Sequence, residues 1–339
     1  MNESRILLAH GNGGRYMREL ISEVFARHLG NPLLDTNADA VCLPKLSGTT
    51  VVTTDGFTVQ PLEFPGGNLG SLAVHGVVND LAVCGAEARF LTLSAIIEEG
   101  LEIEVLDRLI ASFAAAAKEA GAVVAAGDTK VVRHGEGGGL YLSVAGIGEM
   151  KAGTALGLSQ INSGDVVLVS GPVGDHGVCV MLAREQFGLS GDLRSDSASV
   201  LPLAQAVWNQ PGLKFMRDPT RGGLATVAHE IAQACGLTLV LEQAHVPVRD
   251  TVQSVCEMLG YDPYYLACEG RIVAVVATEA ADAILASWRS LPGGDGAMKI
   301  GRLQAGTSKA GAGKVILETT LGGQRVLEEL EDDPLPRIC

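Results

Sequence analysis

The strongest constraint on the fold is a repeated alternation between short apolar runs typical of strands and longer segments typical of helices. Runs such as "TTVVTTDG", "RFLTLSAII" and "LYLSVAGIGEM" are apolar and bounded by glycine, aspartate or charge, as strands are. Between them lie an apolar, small-residue-rich segment, "NLGSLAVHGVVNDLAVCGA" at residues 68–86, and an alanine-rich amphipathic segment at 103–120, both with helical period. This alternation favours a layered α/β (α+β) fold over a helical bundle or an all-β sandwich.

The chain is long enough for more than one domain. Its 339 residues exceed one typical hydrophobic core. The segment "KAGTALGLSQINSGD" lacks strong periodicity, and we find no convincing sequence repeat between the halves that flank it. We therefore predict an N-terminal α/β domain at 1–150 and a C-terminal α/β domain at 151–327. The acidic, proline-containing residues 328–339 are predicted to form a flexible tail that spans at most ~36 Å at ~3.3 Å per residue.

Composition and charge exclude several classes of protein. A net charge of −14 argues against nucleic-acid binding, which needs clustered Lys and Arg. No apolar run approaches the ~20 residues of a membrane-spanning helix, and the N-terminal run is too short for a signal peptide. The seven cysteines contain no C-x-x-C pair and predict a reducing cytoplasm. Six of them are expected to be inert core thiols, whereas Cys339 ends the acidic tail.

Four aspartates occupy positions at which carboxylates can hold a hard cation. Asp55 and Asp128 follow apolar strands at glycine turns, Asp80 interrupts an apolar helix, and Asp218 precedes a glycine pair that opens a helix. Oxygen ligands of this kind suit Mg²⁺. Taken singly, each aspartate at a turn is also an ordinary turn residue. Asp80 is the hardest to dismiss, because an ionised carboxylate in an apolar helix needs a partner.

Two glycine-rich segments could hold an anion at a helix start. "HGNGGR" and "DPTRGG" each place glycines directly before a predicted helix, although neither is a Walker-A or dinucleotide-binding sequence. Lys130 is either a phosphate ligand or a solvated lysine. Glu269 is either a general base or a strand-edge carboxylate. Spacing alone favours the solvated lysine at position 130 and leaves both alternatives open for Glu269.

Six segments together resemble the HypE family of hydrogenase maturation factors. They are "HGNGG", "TTDGFTVQPLEFPGGNLGSLAVHGVVNDLAVCGA", "AAGDTKVV", "SGPVGDHGV", "RDPTRGGLATVAHEIA" and "PRIC", and the resemblance runs from residue 6 to 339. That family belongs with aminoimidazole ribonucleotide synthetase, selenophosphate synthetase and thiamine-monophosphate kinase. The resemblance implies their two-domain α/β fold, a homodimer formed through N-terminal strands, and ATP with Mg²⁺. Two positions depart from the family, because Cys268 stands where Asn is common and Asn68 where Asp is often found.

The resemblance also implies an activity and assigns residues to it. A carbamoyltransferase, HypF, would load Cys339, and the chain would dehydrate the thiocarbamate to a thiocyanate for transfer to iron on a HypC–HypD complex. Glu269 and Lys130 would assist the chemistry at Cys339. The implied metal ligands are Asp55, Asp80, Asp128 and Asp218, and the implied nucleotide contacts are His10, Gly11, Gly13, Gly14, Lys130 and Arg221.

Two rival functions remain open from the sequence. One is an ATP-dependent amidine synthase or small-molecule kinase of the same superfamily, in which Cys339 has no role. The other is a non-enzymatic protein in which Cys339 anchors a lipid or a metal. Prenylation needs a cysteine four residues from the end, and no second thiol lies near Cys339, so both anchor roles lack support.

Overall fold

The chain divides into two compact units. The structure, a computed structural model, describes residues 3–184, 191–306 and 313–331. The N-terminal unit runs to Lys151 and the C-terminal unit begins at Ala152, with Ala82–Gly85 grouped with the second.

A four-stranded sheet forms the centre of the N-terminal unit. The strands of this unit are β1 (Thr50–Phe57), β2 (Glu63–Phe64), β3 (Gly67–Asn68), β4 (Ala86–Glu98), β5 (Val123–Val132) and β6 (Leu140–Met150). The sheet order is β1-β6-β4-β5, and β2 pairs with β3 separately. β4 and β5 are parallel, while β6 is antiparallel to both β1 and β4. Within this sheet, β1 and β4 are therefore separated by β6, which comes later in the chain.

Helices cover one face of this sheet. They are α1 (Arg15–Leu20), which continues through a π-helical segment (Ile21–Ala26) into α2 (Arg27–Leu29), then α3 (Leu69–Val83) and α4 (Ile103–Glu119). α4 buries Leu106, Leu109, Ile110 and Phe113 along one face, as its amphipathic pattern predicts. α3 approaches α4 so closely that a Cβ on Gly70 would lie 1.9 Å from the Leu109 carbonyl oxygen. Glycine at position 70 is thus required by packing.

The C-terminal unit is built on a seven-stranded sheet. Its strands are β7 (Val166–Val169), β8 (Leu213–Arg217), β9 (Thr238–Glu242), β10 (Val273–Val276), β11 (Met298–Gln304), β12 (Val315–Glu318) and β13 (Gln324–Val326), in the order β13-β12-β9-β11-β7-β10-β8. The helices are α5 (Asp175–Ala183), α6 (Leu201–Gln205), α7 (Gly223–Cys235), α8 (Asp250–Leu259) and α9 (Ala281–Arg289). α7 packs Leu224, Val227 and Ile231 into a core shared with β7, β9 and β10.

The predicted mixed architecture of helices and sheets is confirmed. The alternation in the sequence also predicts a helix at 175–187, of which the structure describes α5 (Asp175–Ala183), because residues 185–190 lie outside the described chain. The sequence analysis missed β2, β3, α6, α8, β8 and β13. The three residues of β13 are all exposed, so no apolar pattern marks them.

The expectation of six core thiols is wrong at two positions. Cys179, Cys256 and Cys268 are buried and Cys235 is partly buried, but Cys42 and Cys84 are exposed. Cys84 directly follows the last residue of α3 and Cys42 lies outside any helix or strand, so apolar neighbours in sequence do not enclose either side chain. Cys339 lies outside the described residues.

Across the described ranges, none of the helices is long and apolar enough to cross a membrane.

Candidate functional site

The glycine-rich loop before α1 is held by the buried ring of His10. The Leu7 N–H donates to His10 Nδ1 at 2.9 Å, so Nε2 carries the ring hydrogen. The ring is fully buried, and Nε2 has no hydrogen-bond partner in the part of the chain described. His10 therefore stabilises the loop from inside, and the backbone N–H groups of the loop are candidate contacts for an anion. The loop lies against β5, because a Cβ on Gly11 would come within 2.9 Å of Val131 Cβ.

Asp55 and Asp80 point into the layer between the sheet and α3. Alternate residues of β1 are less exposed, and this set includes Thr53 and Asp55. The Thr53 hydroxyl donates to Asp80 Oδ2 at 2.8 Å. This contact supplies a partner for the carboxylate that interrupts an apolar helix. On the same helix, burial lowers the pKa of His75 to about 4, so the ring is neutral at pH 7.

Asp128 and Lys130 lie on the opposite, open face of the same sheet. Cα pairing places Asp128 beside Ser94 of β4, Ser94 beside Ser143 of β6, and Ser143 beside Gly56 of β1. Directly paired residues share a face, and successive residues alternate, so Asp128 faces away from Asp55. Lys130, two residues further along, shares the face of Asp128, and both are exposed.

The N-terminal unit therefore does not collect its three predicted aspartates at one point. Among the described residues, no three His, Cys, Asp or Glu side chains are grouped so as to hold a metal ion. Mg²⁺ commonly takes only one or two carboxylates and completes its shell with water and phosphate oxygens. Asp55 and Asp80, which share one layer, fit that smaller requirement.

In the C-terminal unit, the loop that carries Asp218 is tied to the segment that carries Glu269. The Cys268 N–H donates to the Pro219 carbonyl oxygen at 3.0 Å. Gly223 begins α7 at φ +59°, and a Cβ there would lie 2.4 Å from the Leu266 carbonyl oxygen. A side chain at 223 would force the two segments apart. Asp218 and Glu269 are both buried, while Arg221 is exposed.

The main chain at Glu269 is fixed by Asp196, which the sequence analysis missed. The N–H groups of Glu269 and Gly270 donate to Asp196 Oδ1 and Oδ2, each at 3.2 Å. Arg271 Nε lies 3.5 Å from Asp196 Oδ2, and the Asp196 side chain is fully buried. Burial raises the pKa of Asp196, while Arg271 and the two N–H groups oppose that rise. The one available signal was Arg271, a charged residue two positions before the buried strand β10.

Arg271 joins this aspartate to a second buried carboxylate. Arg271 Nη2 lies 3.5 Å from Asp175 Oδ2, and Arg249 Nε donates to the same oxygen at 2.8 Å. Two arginines thus compensate two buried carboxylates beside Glu269.

Cys268 is enclosed within the packed core of this unit. Its Sγ accepts the Gly174 N–H at 3.2 Å, and its side chain has no solvent exposure. Burial raises the pKa of the Cys268 thiol well above its ordinary value. Cys268 is therefore a packed, protonated thiol.

Two protein-family models match this chain, one in each unit. The AIR synthase related protein N-terminal domain matches residues 37–150, and the corresponding C-terminal domain matches residues 162–314. The chain is therefore an AIR synthase related protein with both characteristic domains.

More similar proteins define the family within that class. Carbamoyl dehydratase HypE of Bradyrhizobium diazoefficiens is 44% identical over 334 residues, which cover 98% of this chain and 95% of the relative. A crystal structure of hydrogenase maturation protein HypE in complex with ATP superposes with a TM-score of 0.92 at 42% identity, covering 98% of this chain and 99% of that one. HypE in a HypE–HypF complex gives a TM-score of 0.79 at 39% identity, with coverage of 92% and 99%. The chain belongs to the HypE family of carbamoyl dehydratases, which confirms the resemblance found in the sequence.

Proposed function

We propose that this chain is an ATP-dependent carbamoyl dehydratase of hydrogenase maturation that converts an S-carbamoyl group on Cys339 into a thiocyanate. Full-length similarity to carbamoyl dehydratases carries this conclusion, since 41–44% identity extends through both units. A small-molecule kinase or amidine synthase of the superfamily remains the alternative, but it leaves Cys339 without a role.

The reaction needs a better leaving group and the removal of two protons. An amide oxygen leaves poorly, and transfer of the γ-phosphoryl group of ATP onto it would make phosphate the leaving group. The two N–H protons of the carbamoyl nitrogen must then depart as the nitrile forms. The products are thiocyanate, ADP and phosphate.

Glu269 is our proposed base for this proton removal. It is buried, its main chain is fixed by Asp196, and its segment is hydrogen-bonded to the loop that carries Asp218. A carboxylate held on a rigid main chain can be positioned for one proton-transfer geometry, which general-base catalysis requires.

We propose candidate contacts for the nucleotide and its cation from the residues of each unit taken separately. Backbone N–H groups at Gly11, Gly13 and Gly14, with Lys130 and Arg221, would contact phosphates, and His10 would support the loop. Asp55 and Asp80, which share one layer, are our proposed carboxylates for a Mg²⁺ that would neutralise phosphate charge, and Asp128 and Asp218 stay predictions from the family resemblance.

We also propose a homodimer formed on the open face of the N-terminal sheet. Val52 is 68% exposed on this face, and the paired residues Ile96 and Tyr141 are each 38% exposed. A second copy covering these apolar side chains would place Asp128 and Lys130 at the interface. An interface on the open face would explain why Asp128 and Lys130 face away from Asp55.

The proposed partners and compartment follow from the family. A HypF-type carbamoyltransferase would load Cys339, as the HypE–HypF complex of a relative supports. A HypC–HypD complex would accept the cyanide, and the proposed compartment is the cytoplasm.

Intact mass spectrometry tests the proposed reaction. Protein incubated with carbamoyl donor, partner transferase and ATP should gain one carbamoyl group and then lose one water. Cys339→Ala should fold and bind ATP but show neither change, whereas Cys42→Ala, at an exposed cysteine, should show both. Mapping of the carbamoyl group to any other cysteine would rule out Cys339 as the carrier.

A further inference from the structure

The first residues of the predicted tail are attached to the C-terminal unit. Leu327 is fully buried in the core, and its N–H donates to the Val315 carbonyl oxygen at 3.0 Å. His229 Nε2 lies 2.9 Å from the Leu327 carbonyl oxygen. A carbonyl oxygen only accepts, so Nε2 carries the hydrogen that is donated.

Two further side chains extend this attachment beyond Leu327. The Tyr265 hydroxyl donates to the Glu328 carbonyl oxygen at 2.7 Å, and Gln233 Nε2 donates to Glu329 Oε2 at 3.0 Å. His229 and Gln233 are one turn apart on α7, so their side chains lie on the same face of the helix. We call His229, Gln233 and Tyr265 the tail anchor.

The attached segment ends beside the loop that bears Arg221. A Cβ on Gly222 would lie 3.6 Å from Leu330 Cδ2, an ordinary van der Waals separation. Gly222 and Gly223 start α7, whose first turn abuts the segment leading to Glu269. The chain therefore passes Leu330 at the same end of the unit as the proposed base and Asp218.

We propose that the tail anchor is a positioning device that fixes where the Cys339 carrier segment leaves the protein, an inference that rests on the proposed dehydratase function. With the segment through Leu330 held, nine residues connect the anchored point to Cys339, a reach of about 30 Å at ~3.3 Å per residue. The predicted tail from residue 328 is thereby shortened. A shorter tether raises the effective concentration of the thiocarbamate at the site.

The size of the expected effect follows from tether length. If the anchor is removed, the last fixed point moves back to Val326 at the end of β13, which lengthens the tether from nine to about thirteen residues. Effective concentration falls roughly as the −3/2 power of length, which predicts a loss of about two-fold.

The test compares reaction on the attached tail with reaction on a separate peptide. Single-turnover dehydration of carbamoylated Cys339 at saturating ATP gives the first rate. The second rate uses an S-carbamoylated peptide of residues 331–339, offered to the Cys339→Ala chain. Tyr265→Phe combined with His229→Leu should lower the first rate about two-fold and leave the second unchanged.

Matched variants separate tethering from damage to the fold. His229→Gln keeps an N–H donor and should recover much of the lost rate, and Tyr265→Phe alone should preserve the core. Tyr261→Phe makes the same chemical change at a tyrosine with no bond to the tail in the described chain, and should have no effect. A four-residue Gly-Ser insertion after Leu330 should reproduce the two-fold loss with the anchor intact.

Hydrogen exchange at the Leu327 amide tests the anchor without using activity. The wild-type amide should be protected, and the double variant should exchange faster. Unprotected wild-type amide, equal losses in both dehydration rates, or no loss in either would overturn the proposal. If the wild type carries out no dehydration at all, the proposed function fails, while exchange still decides whether the anchor exists.

Discussion

Glu269 owes its position to a residue 73 positions earlier in the chain. Both carboxylate oxygens of Asp196 accept main-chain N–H groups at 269 and 270. A Cβ on Gly270 would lie 1.9 Å from the Asp196 carbonyl oxygen, so only glycine permits this approach. The sequence marks Glu269 as a candidate base, but the contact that orients it is long-range.

Glu269→Gln should separate chemistry from nucleotide binding. The amide keeps the shape of the buried side chain but cannot accept a proton at neutral pH, so dehydration should fall by about 10²-fold or more. ATP affinity, measured by calorimetry, should stay unchanged. Glu279→Gln, at an exposed glutamate, is the control. An equal loss of ATP affinity would instead place Glu269 in the nucleotide pocket.

Two buried histidines should make the protein less stable in acid. Burial lowers the pKa of His75 to about 4 and that of His176 to about 3, from an ordinary value of 6.5. Below pH 6.5 the unfolded chain therefore binds more protons than the folded one, and stability falls as the pH approaches each folded pKa. The free energy of unfolding, measured with denaturant, should fall between pH 7 and pH 4.5 in both proteins. The fall should be roughly 2 kcal/mol smaller in His75→Gln than in wild type.

The control for that measurement is His245→Gln, at an exposed histidine. If acid lowers the free energy of unfolding of His75→Gln as much as that of wild type, the ring of His75 is not buried in its neutral form.

At the scale of elements, glycines set how closely α3 packs. A Cβ on Gly146 of β6 would lie 2.3 Å from Val77 Cγ1, and Gly70 meets the main chain of α4. The alternation of apolar, strand-like runs with segments of helical period predicted α3, α4 and most strands. They did not predict that β6 lies between β1 and β4, because strand order depends on pairing between distant residues.

Gly70→Ala should destabilise the N-terminal unit. The added methyl group would overlap the Leu109 carbonyl oxygen, and such overpacking typically costs about 1–3 kcal/mol. Thermal unfolding should show a lower midpoint than wild type. Gly56→Ala is the matched control, since a Cβ there meets nothing within 4 Å. Equal midpoints for Gly70→Ala and wild type would show that α3 can shift without cost.

At the scale of the whole molecule, the N-terminal sheet has one covered and one open face. The covered face holds Asp55 and packs against α3, while the open face presents Val52, Ile96 and Tyr141. Exposed apolar side chains on a sheet are typical of an interface with another chain.

If the proposed dimer forms on this face, Val52→Asp should convert it to a monomer. A charge buried in an apolar interface loses hydration without gaining a partner. Sedimentation velocity would give the mass of each species. Met258→Asp, at a residue 61% exposed in the C-terminal unit, should leave the dimer intact. A stable Val52→Asp dimer would exclude this face as the interface.

The sequence by itself determined the mixed α/β architecture, the family and the set of candidate residues. Apolar period, glycine turns and charged residues in apolar segments are local properties, so they can be read without coordinates. The tertiary structure decided how those residues are arranged. In the folded chain, Asp128 faces away from Asp55, and Asp196 accepts the main-chain N–H group of Glu269. The segment that leads into the tail is hydrogen-bonded to α7. Each of these depends on strand register or on contacts between distant residues, which no local pattern specifies.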